Sequence, residues 1–267
     1  MKNQLIDLLV QRLNKAKEQL KKDFSKQHPI KVARHFALDN VLPTDIAEKI
    51  YAQFPKPNKM RLLKSSGELK LKYSHLKDIS SLLQDVHYAI QDLQVVKIIE
   101  EITEIKNQVP DTSRCAGGIS TLLKGHFINP HLDNSHNIEG KLYRTVNVLY
   151  YVSPHWELEN GGNYELWDES VTNRIIVPNL FNRMVVMETN NTSWHAVNPV
   201  LCNAPRCCIF NYYFSAHSPL GEAYFHGPSS TFLHPLFKPR PEQKIRRSLA
   251  DIKQSIISCI SKPHQGD

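Results

Sequence analysis

Apolar positions in the first 24 residues recur at helical spacing: Leu5, Leu9, Leu13, Ala16 and Leu20 form one stripe, which predicts an amphipathic helix. The stretch VARHFALDNVLP that follows reads as a short strand and then a helix start. Pro43, Thr44 and Asp45 are good opening residues for the helix TDIAEKIYAQF. Residues 55–72 are rich in Lys, Pro, Asn, Ser and Gly and predict a loop or a weak strand. A long helical pattern comes next, with Leu82, Leu83, Val86, Ile90, Leu93, Ile98, Ile99, Ile102 and Ile105 on one broad apolar face. After Pro110 the period changes. From Gly117 to Ser215 the chain reads as eight short β segments: GISTLLK, HFINPHLD, RTVNVLYYV, NYELWD, NRIIVP, NRMVVMET, SWHAVNPV and RCCIFNYYFS. Asn-Gly-Gly at 160–162 and Asn-Ala-Pro at 203–205 punctuate them as turns. Helices first and strands later predict an α+β class, and eight short strands suggest a double-sheet jelly roll. The end of the chain starts with Pro and Gly and finishes in RRSLADIKQSIISCI, which predicts one more helix in a C-terminal tail. The expected organisation is an N-terminal helix at 1–28, a main domain at 29–218 with its jelly-roll core at about 112–216, and an extension at 219–267.

Composition narrows the class. With 41% apolar and 22% charged residues the chain is an ordinary globular protein. There is no apolar run of the roughly 18 residues that a membrane span needs. The charged N-terminus does not read as a secretory signal. Five cysteines, an odd number with no CxxC pair, argue against a disulfide framework or a Cys-based zinc site. A reducing, cytoplasmic location is expected. The net charge of +7 gathers partly in Lys15–Lys26 and Lys238–Arg247, where basic solvated helices explain it. No nucleic-acid motif accompanies it. The N-terminal Leu stripe is expected to pack onto the domain, with a homodimer contact as the alternative.

The chemistry concentrates in the β region. On an extended strand, residues two apart share a face, so His131 and Asp133 would aim an imidazole and a carboxylate at one point. His195, on a later strand, can complete a facial set of three and leave the other positions of an octahedral iron open. With thirteen histidines in the chain, His-x-Asp alone is weak. Its company gives it weight. Arg206 opens the apolar strand CCIFNYYF, and an inward guanidinium there needs a buried anion. The far carboxylate of 2-oxoglutarate is such an anion. In RTVNVLYYV, Thr145, Asn147, Leu149 and Tyr151 share a face, and Asn147 and Tyr151 are placed to meet the cosubstrate.

HLDN, then YRTVNVLYYVSPHWELENGGNYELWD, VPNLFNRMVVMET, SWHAVNPV and PR, in that order, resemble the prolyl-4-hydroxylase-like 2-oxoglutarate oxygenases. The resemblance is closest to the branch holding fungal ribosomal-protein prolyl hydroxylases and the oxygen-sensing prolyl hydroxylases of animals. It is clearest over 117–215 and reaches back to VARHFALDNVLP. It implies a double-stranded β-helix with buttressing N-terminal helices. Iron(II) would sit on His131, Asp133 and His195, and 2-oxoglutarate on Arg206 and Tyr151 with Asn147 facing it. O2 would be the second substrate, and ascorbate serves as reductant in assays. The implied reaction is hydroxylation coupled to decarboxylation of 2-oxoglutarate to succinate. Gly161, Gly162 and Trp167 match a structural signature of the family. An intact Asp133 sets the chain apart from halogenating relatives, which lack the carboxylate. One departure stands out. Many prolyl hydroxylases carry a tyrosine about ten residues before the first ligand, where this chain has Thr121, Leu122 and Leu123.

Competing explanations exist for each motif. His131 and Asp133 could be a surface pair beside Pro130 and Asn134, His195 a satisfied core histidine, and Arg206 an edge-strand arginine. His155 and Glu157 are a rival ligand pair in an apparent loop. His126 and His136, which flank the first ligands, are expected at the surface with lining of the pocket as the alternative, and Cys207 and Cys208 as small core residues. The first substrate to consider is a prolyl residue of a protein or peptide. The alternatives are a free amino acid, a glycan or another small metabolite, a nucleic acid undergoing demethylation, or a non-catalytic jelly-roll binding module.

Overall fold

The computed structural model describes residues 1–73, 78–111 and 117–226, and the backbone of 231–232. The tail helix expected in RRSLADIKQSIISCI, with Cys259, and also Cys115 lie outside the described residues.

Among the described residues are four α-helices: α1 (Lys2–Ser25), α2 (Thr44–Ala52), α3 (Ser81–Ile90) and α4 (Leu93–Thr103), with three strands placed before α3. The α1 stripe buries Leu5, Leu9, Leu13, Leu20 and Phe24, and packs on α3, α4 and the first strand. Each such side chain contributes about 1.5–3 kcal/mol by leaving water. The long apolar pattern after residue 81 is two helices, not one. Asp92 ends the first and caps the second, accepting from Gln94 N at 3.0 Å. Ser80 caps α3 in the same way through Leu83 N at 3.3 Å. The apolar face survives the break because both helices lie on the same sheet. Glu104, at φ 60° in the left-handed region, then ends α4.

The strands are β1 (His35–Leu38), β2 (Arg61–Lys64), β3 (Glu68–Tyr73), β4 (Val109–Pro110), β5 (Gly118–Leu122), β6 (Phe127–Leu132), β7 (Tyr143–Tyr151), β8 (Tyr164–Trp167), β9 (Arg174–Val177), β10 (Arg183–Glu188), β11 (His195–Val197), β12 (Arg206–Ser215) and β13 (Thr231–Phe232). All eight segments expected to be strands are strands. The order β1-β10-β7-β12-β5 makes a major sheet, and β6-β11-β8-β9 a minor one. Residues 55–72, expected as loop or weak strand, contain most of a β2–β3 hairpin that runs from Arg61 to Tyr73. Its second strand joins the two sheets, pairing with β5 through Leu71–Tyr73 and with β6 through Glu68 and Leu69. The polar composition hid it: its alternation places Lys and Glu inward at a sheet corner. The result is a double-stranded β-helix, or jelly roll, with the helices on the outer face of the major sheet.

Alternation divides the major sheet cleanly. Val146, Val148 and Tyr150 of β7, Met184 and Val186 of β10, and Cys207, Ile209 and Tyr213 of β12 belong to the core under the helices. Tyr151, Val185, Met187 and Cys208 belong to a second core between the sheets. One bulge interrupts this order. Between Tyr213 and Phe214 the register with β7 shifts, so that Val146 faces Tyr213 and Arg144 faces Phe214. Thr145, expected on the inner face, instead donates to Gln108 Oε1 at 2.7 Å on the helix side. The bulge sends Arg144 inward in its place.

Candidate active site

Antiparallel pairing of β6 with β11 sets His195 opposite His131. Asp133 follows the end of β6 and turns to the same point. The three residues are 7%, 4% and 3% exposed for His131, Asp133 and His195. One ligand atom from each lies within 4.8 Å of the others. His131 Nε2 is 3.8 Å from Asp133 Oδ1, and His195 Nε2 is 3.7 Å from Asp133 Oδ2. Each imidazole is oriented from behind. Nδ1 of His131 donates to Asn129 O at 2.9 Å, and Nδ1 of His195 to Ser193 O at 2.9 Å. That turns both Nε2 atoms toward the carboxylate, the arrangement in which histidine binds a metal. Burial, aided by the facing His195, pushes His131 down to about 3, so its ring is neutral near pH 7. Burial favours a protonated Asp133, but the surrounding His195, Arg144 and His131 hold its carboxyl below the usual range.

Arg206, the first residue of β12, is 3% exposed and points between the sheets over the ring of Tyr151, 4.7 Å from its centroid. Its Nε has no partner among the described residues, nor has the Tyr151 hydroxyl. Burial pushes that phenol well up, so it remains a donor. Two buried donors side by side, without partners among the described residues, call for an acceptor. Glycines make room for the guanidinium. Gly162, at φ +65°, carries no Cβ where one would stand 3.2 Å from Arg206 Cδ and 2.9 Å from Val200 Cγ2. Its neighbour Gly161 accepts from Trp156 Nε1 at 2.9 Å.

Asn147 lies in the hollow but its amide is engaged: Nδ2 donates to Asp133 Oδ2 at 3.3 Å, while Oδ1 has no partner. The sequence did not single out Arg144. It stacks on Tyr212 at 3.8 Å and brings Nη1 to 3.5 Å from Asp133 Oδ1. Only the bulge aims it there, and strand alternation pointed the other way. His226, also missed, places Nε2 2.6 Å from Asp133 O. The remaining candidates fall elsewhere. His155 and Glu157 are exposed in a loop, and His126 sits in the β5–β6 turn; His136 is not at the surface as expected but buried, its Nδ1 2.8 Å from Ser135 Oγ and its ring packed on Tyr143. Cys207 and Cys208 are buried free thiols, with burial pushing them up to about 12 and about 11. No helix among the described residues is long and apolar enough to cross a membrane.

The donor set fits the group that the fold suggests. Two imidazoles and one carboxylate suit a divalent iron and leave its other positions open. The orphaned Arg206 and Tyr151 suit a carboxylate. Comparison with known proteins agrees. Residues 117–214 match the model of the 2OG-Fe(II) oxygenase superfamily. Among solved structures, a prolyl-4-hydroxylase of Pseudomonas putida is similar at 13% identity, over 74% of this chain and 97% of that one, with a TM-score of 0.55. A prolyl 4-hydroxylase of Phytophthora capsici is similar at 14% identity, over 80% of this chain and 68% of that one, with a TM-score of 0.56. At such identities the likeness is one of fold. No curated protein sequence matches the chain. A 2OG-Fe(II) oxygenase domain therefore occupies residues 117–214 on a prolyl-4-hydroxylase-like fold, and the chain is an enzyme of the dioxygenase class that this domain defines.

Proposed function

We propose that the chain hydroxylates an unactivated C–H bond at the expense of 2-oxoglutarate and O2, with a prolyl residue of a protein or peptide as the first substrate to test. The observation that carries this is the convergence of His131, Asp133 and His195 within 4.8 Å, buried and oriented from behind. In this reading those three hold iron(II). Arg206 and Tyr151 hold the far carboxylate of 2-oxoglutarate, and Gly162 keeps the space for the guanidinium. Asn147 and Arg144 steady Asp133 from two sides. When bound, iron and 2-oxoglutarate supply the oxidising power, and the protein supplies orientation and exclusion of water. Residues 29–218 form the working domain and α1 braces its major sheet.

Purified protein with iron(II), 2-oxoglutarate and ascorbate under air is expected to form succinate, and His131→Ala to form none. Proline-containing peptides are then expected to raise the rate and gain 16 Da, the mass of one oxygen atom. If the wild-type protein binds neither iron(II) nor 2-oxoglutarate, the oxygenase reading fails and a binding module takes its place.

A further inference from the structure

We infer that the C-terminal extension belongs to the metal site, where His226 is a positioning residue that fixes the main chain of Asp133. The inference rests on the oxygenase reading above and carries the working unit beyond residue 218.

Strand β6 leads into two of the three candidate ligands, so its edges matter. One edge pairs with β11, which sets His195 opposite His131. On the other edge β3 covers only the first part, at Phe127 and Ile128. The rest is covered from the far end of the chain, where Thr231 pairs with Leu132 and Phe232 with His131. Asp133 lies one residue past the end of β6, outside that ladder. Strand pairing therefore does not fix its backbone, and the backbone sets the aim of the carboxylate. Asp133 is also buried, and a buried carbonyl needs a donor. His226 meets both needs: its Nε2 donates to Asp133 O at 2.6 Å.

His226 is itself held in place. Its N donates to Ser135 Oγ at 3.1 Å, and Ser135 N donates to its carbonyl at 3.5 Å. Its ring stacks on Tyr224, with centroids 5.8 Å and planes 20° apart. Tyr224 rests in turn on Tyr143, 5.3 Å away, and the ring of Phe225 lies 5.3 Å from that of His136. All these contacts fall on the connection between β6 and β7. The same connection is tied to the start of β7, where Arg144 N donates to Ser135 O at 2.8 Å. Asn147 and Arg144 reach the Asp133 carboxylate from β7, and His226 reaches its main chain from the extension. One ligand is thus held at both ends, which fixes its geometry before a metal arrives.

The test is anaerobic titration of the full chain with cobalt(II), whose visible bands report affinity and coordination geometry without turnover. His226→Leu is expected to bind cobalt(II) on the order of tenfold more weakly, the lower end of the range for loss of an outer partner of a ligand. The shape of the visible bands should change with it. His226→Gln, whose amide can donate to the same carbonyl, recovers most of the affinity and the wild-type bands. Ser135→Ala, which removes the acceptor of His226 N, weakens binding several-fold and carries the test if His226→Leu does not fold; unchanged affinity there overturns the inference. Equal affinity and equal bands in His226→Leu and wild type overturn it as well. So does a lower urea midpoint with unchanged cobalt(II) binding, the result expected of a purely structural contact. So does equal weakening by His226→Leu and His226→Gln, which would assign the effect to ring packing on Tyr224. A wild-type chain that takes up no cobalt(II) sinks the oxygenase reading and this inference with it, and that result is visible before any variant is made.

Discussion

The two faces of strand β7 make opposite use of the same residue type. Tyr150 points to the helices, and its hydroxyl donates to Asn182 Oδ1 at 2.8 Å. Tyr151 points between the sheets beside Arg206, and its hydroxyl has no partner in good hydrogen-bond geometry among the described residues. Both rings are 1% exposed. The same contrast runs through β12, where outward Tyr213 donates to Ile90 O at 2.6 Å and inward Arg206 keeps an unpartnered Nε. A buried polar atom without a partner costs about 1–3 kcal/mol. The inner face carries that cost at Arg206, Tyr151, Asn147 and Arg144, and the helix side carries it at Asn211, Gln108 and His87. What sets the inner face apart is grouping: Arg144 and Asn147 both reach Asp133 and Arg206 lies over Tyr151, where ligands can complete them.

The comparison is broken most severely at the metal. His131→Ala is expected to lower iron(II) affinity and turnover by more than about 100-fold, since loss of an outer partner of a ligand alone costs 10- to 100-fold. Its unfolding midpoint in the absence of iron should hardly move. Loss of fold without iron would show that the inner face is structural after all. On the outer face, Ile209→Ala should cost about 2–5 kcal/mol by urea unfolding. The affinity for 2-oxoglutarate per folded molecule should stay the same. Arg206→Gln should weaken 2-oxoglutarate by on the order of 10- to 100-fold in the same titration, through loss of a charge-assisted pair. A change below threefold would remove Arg206 from the site.

The tyrosine pair sharpens the contrast at a smaller scale. Tyr150→Phe should cost about 1 kcal/mol of stability and leave binding alone. Tyr151→Phe should be neutral or stabilising and weaken 2-oxoglutarate several-fold. Identical behaviour of the two variants would erase the distinction between the faces. The smallest effect is in acid. Burial pushes His87, under the helices, down to about 4 from 6.5. Between those values the unfolded chain binds the extra proton, so this contribution is full above about pH 6.5 and lost as pH falls toward 4. Urea midpoints measured at pH 7 and pH 5 should therefore fall, and His87→Asn should flatten part of that slope. An unchanged slope would mean that His87 is not a source of it.

Much of this architecture was legible along the chain, and for a local reason. The 3.6-residue stripe of α1 and the eight β segments follow from side-chain periodicity, which each segment carries within itself. His131, Asp133 and Arg206 were readable because polar residues interrupt apolar strands at positions where burial demands a partner. Other features depended on contacts between distant segments. The sequence favoured one long helix after residue 81, and Asp92 divides it by capping the second half. The β2–β3 hairpin is too polar to announce itself, and it is a strand because two sheets offer it partners. Strand alternation placed Thr145 inward, and a bulge set by pairing with β12 sent Arg144 there instead. The sequence alone therefore determined which segments are amphipathic and which residue types can bind metal and carboxylate. Tertiary structure alone decided register, the bulge and the corner position of the β2–β3 hairpin. Register is a relation between strands, and nothing within either strand encodes it by itself.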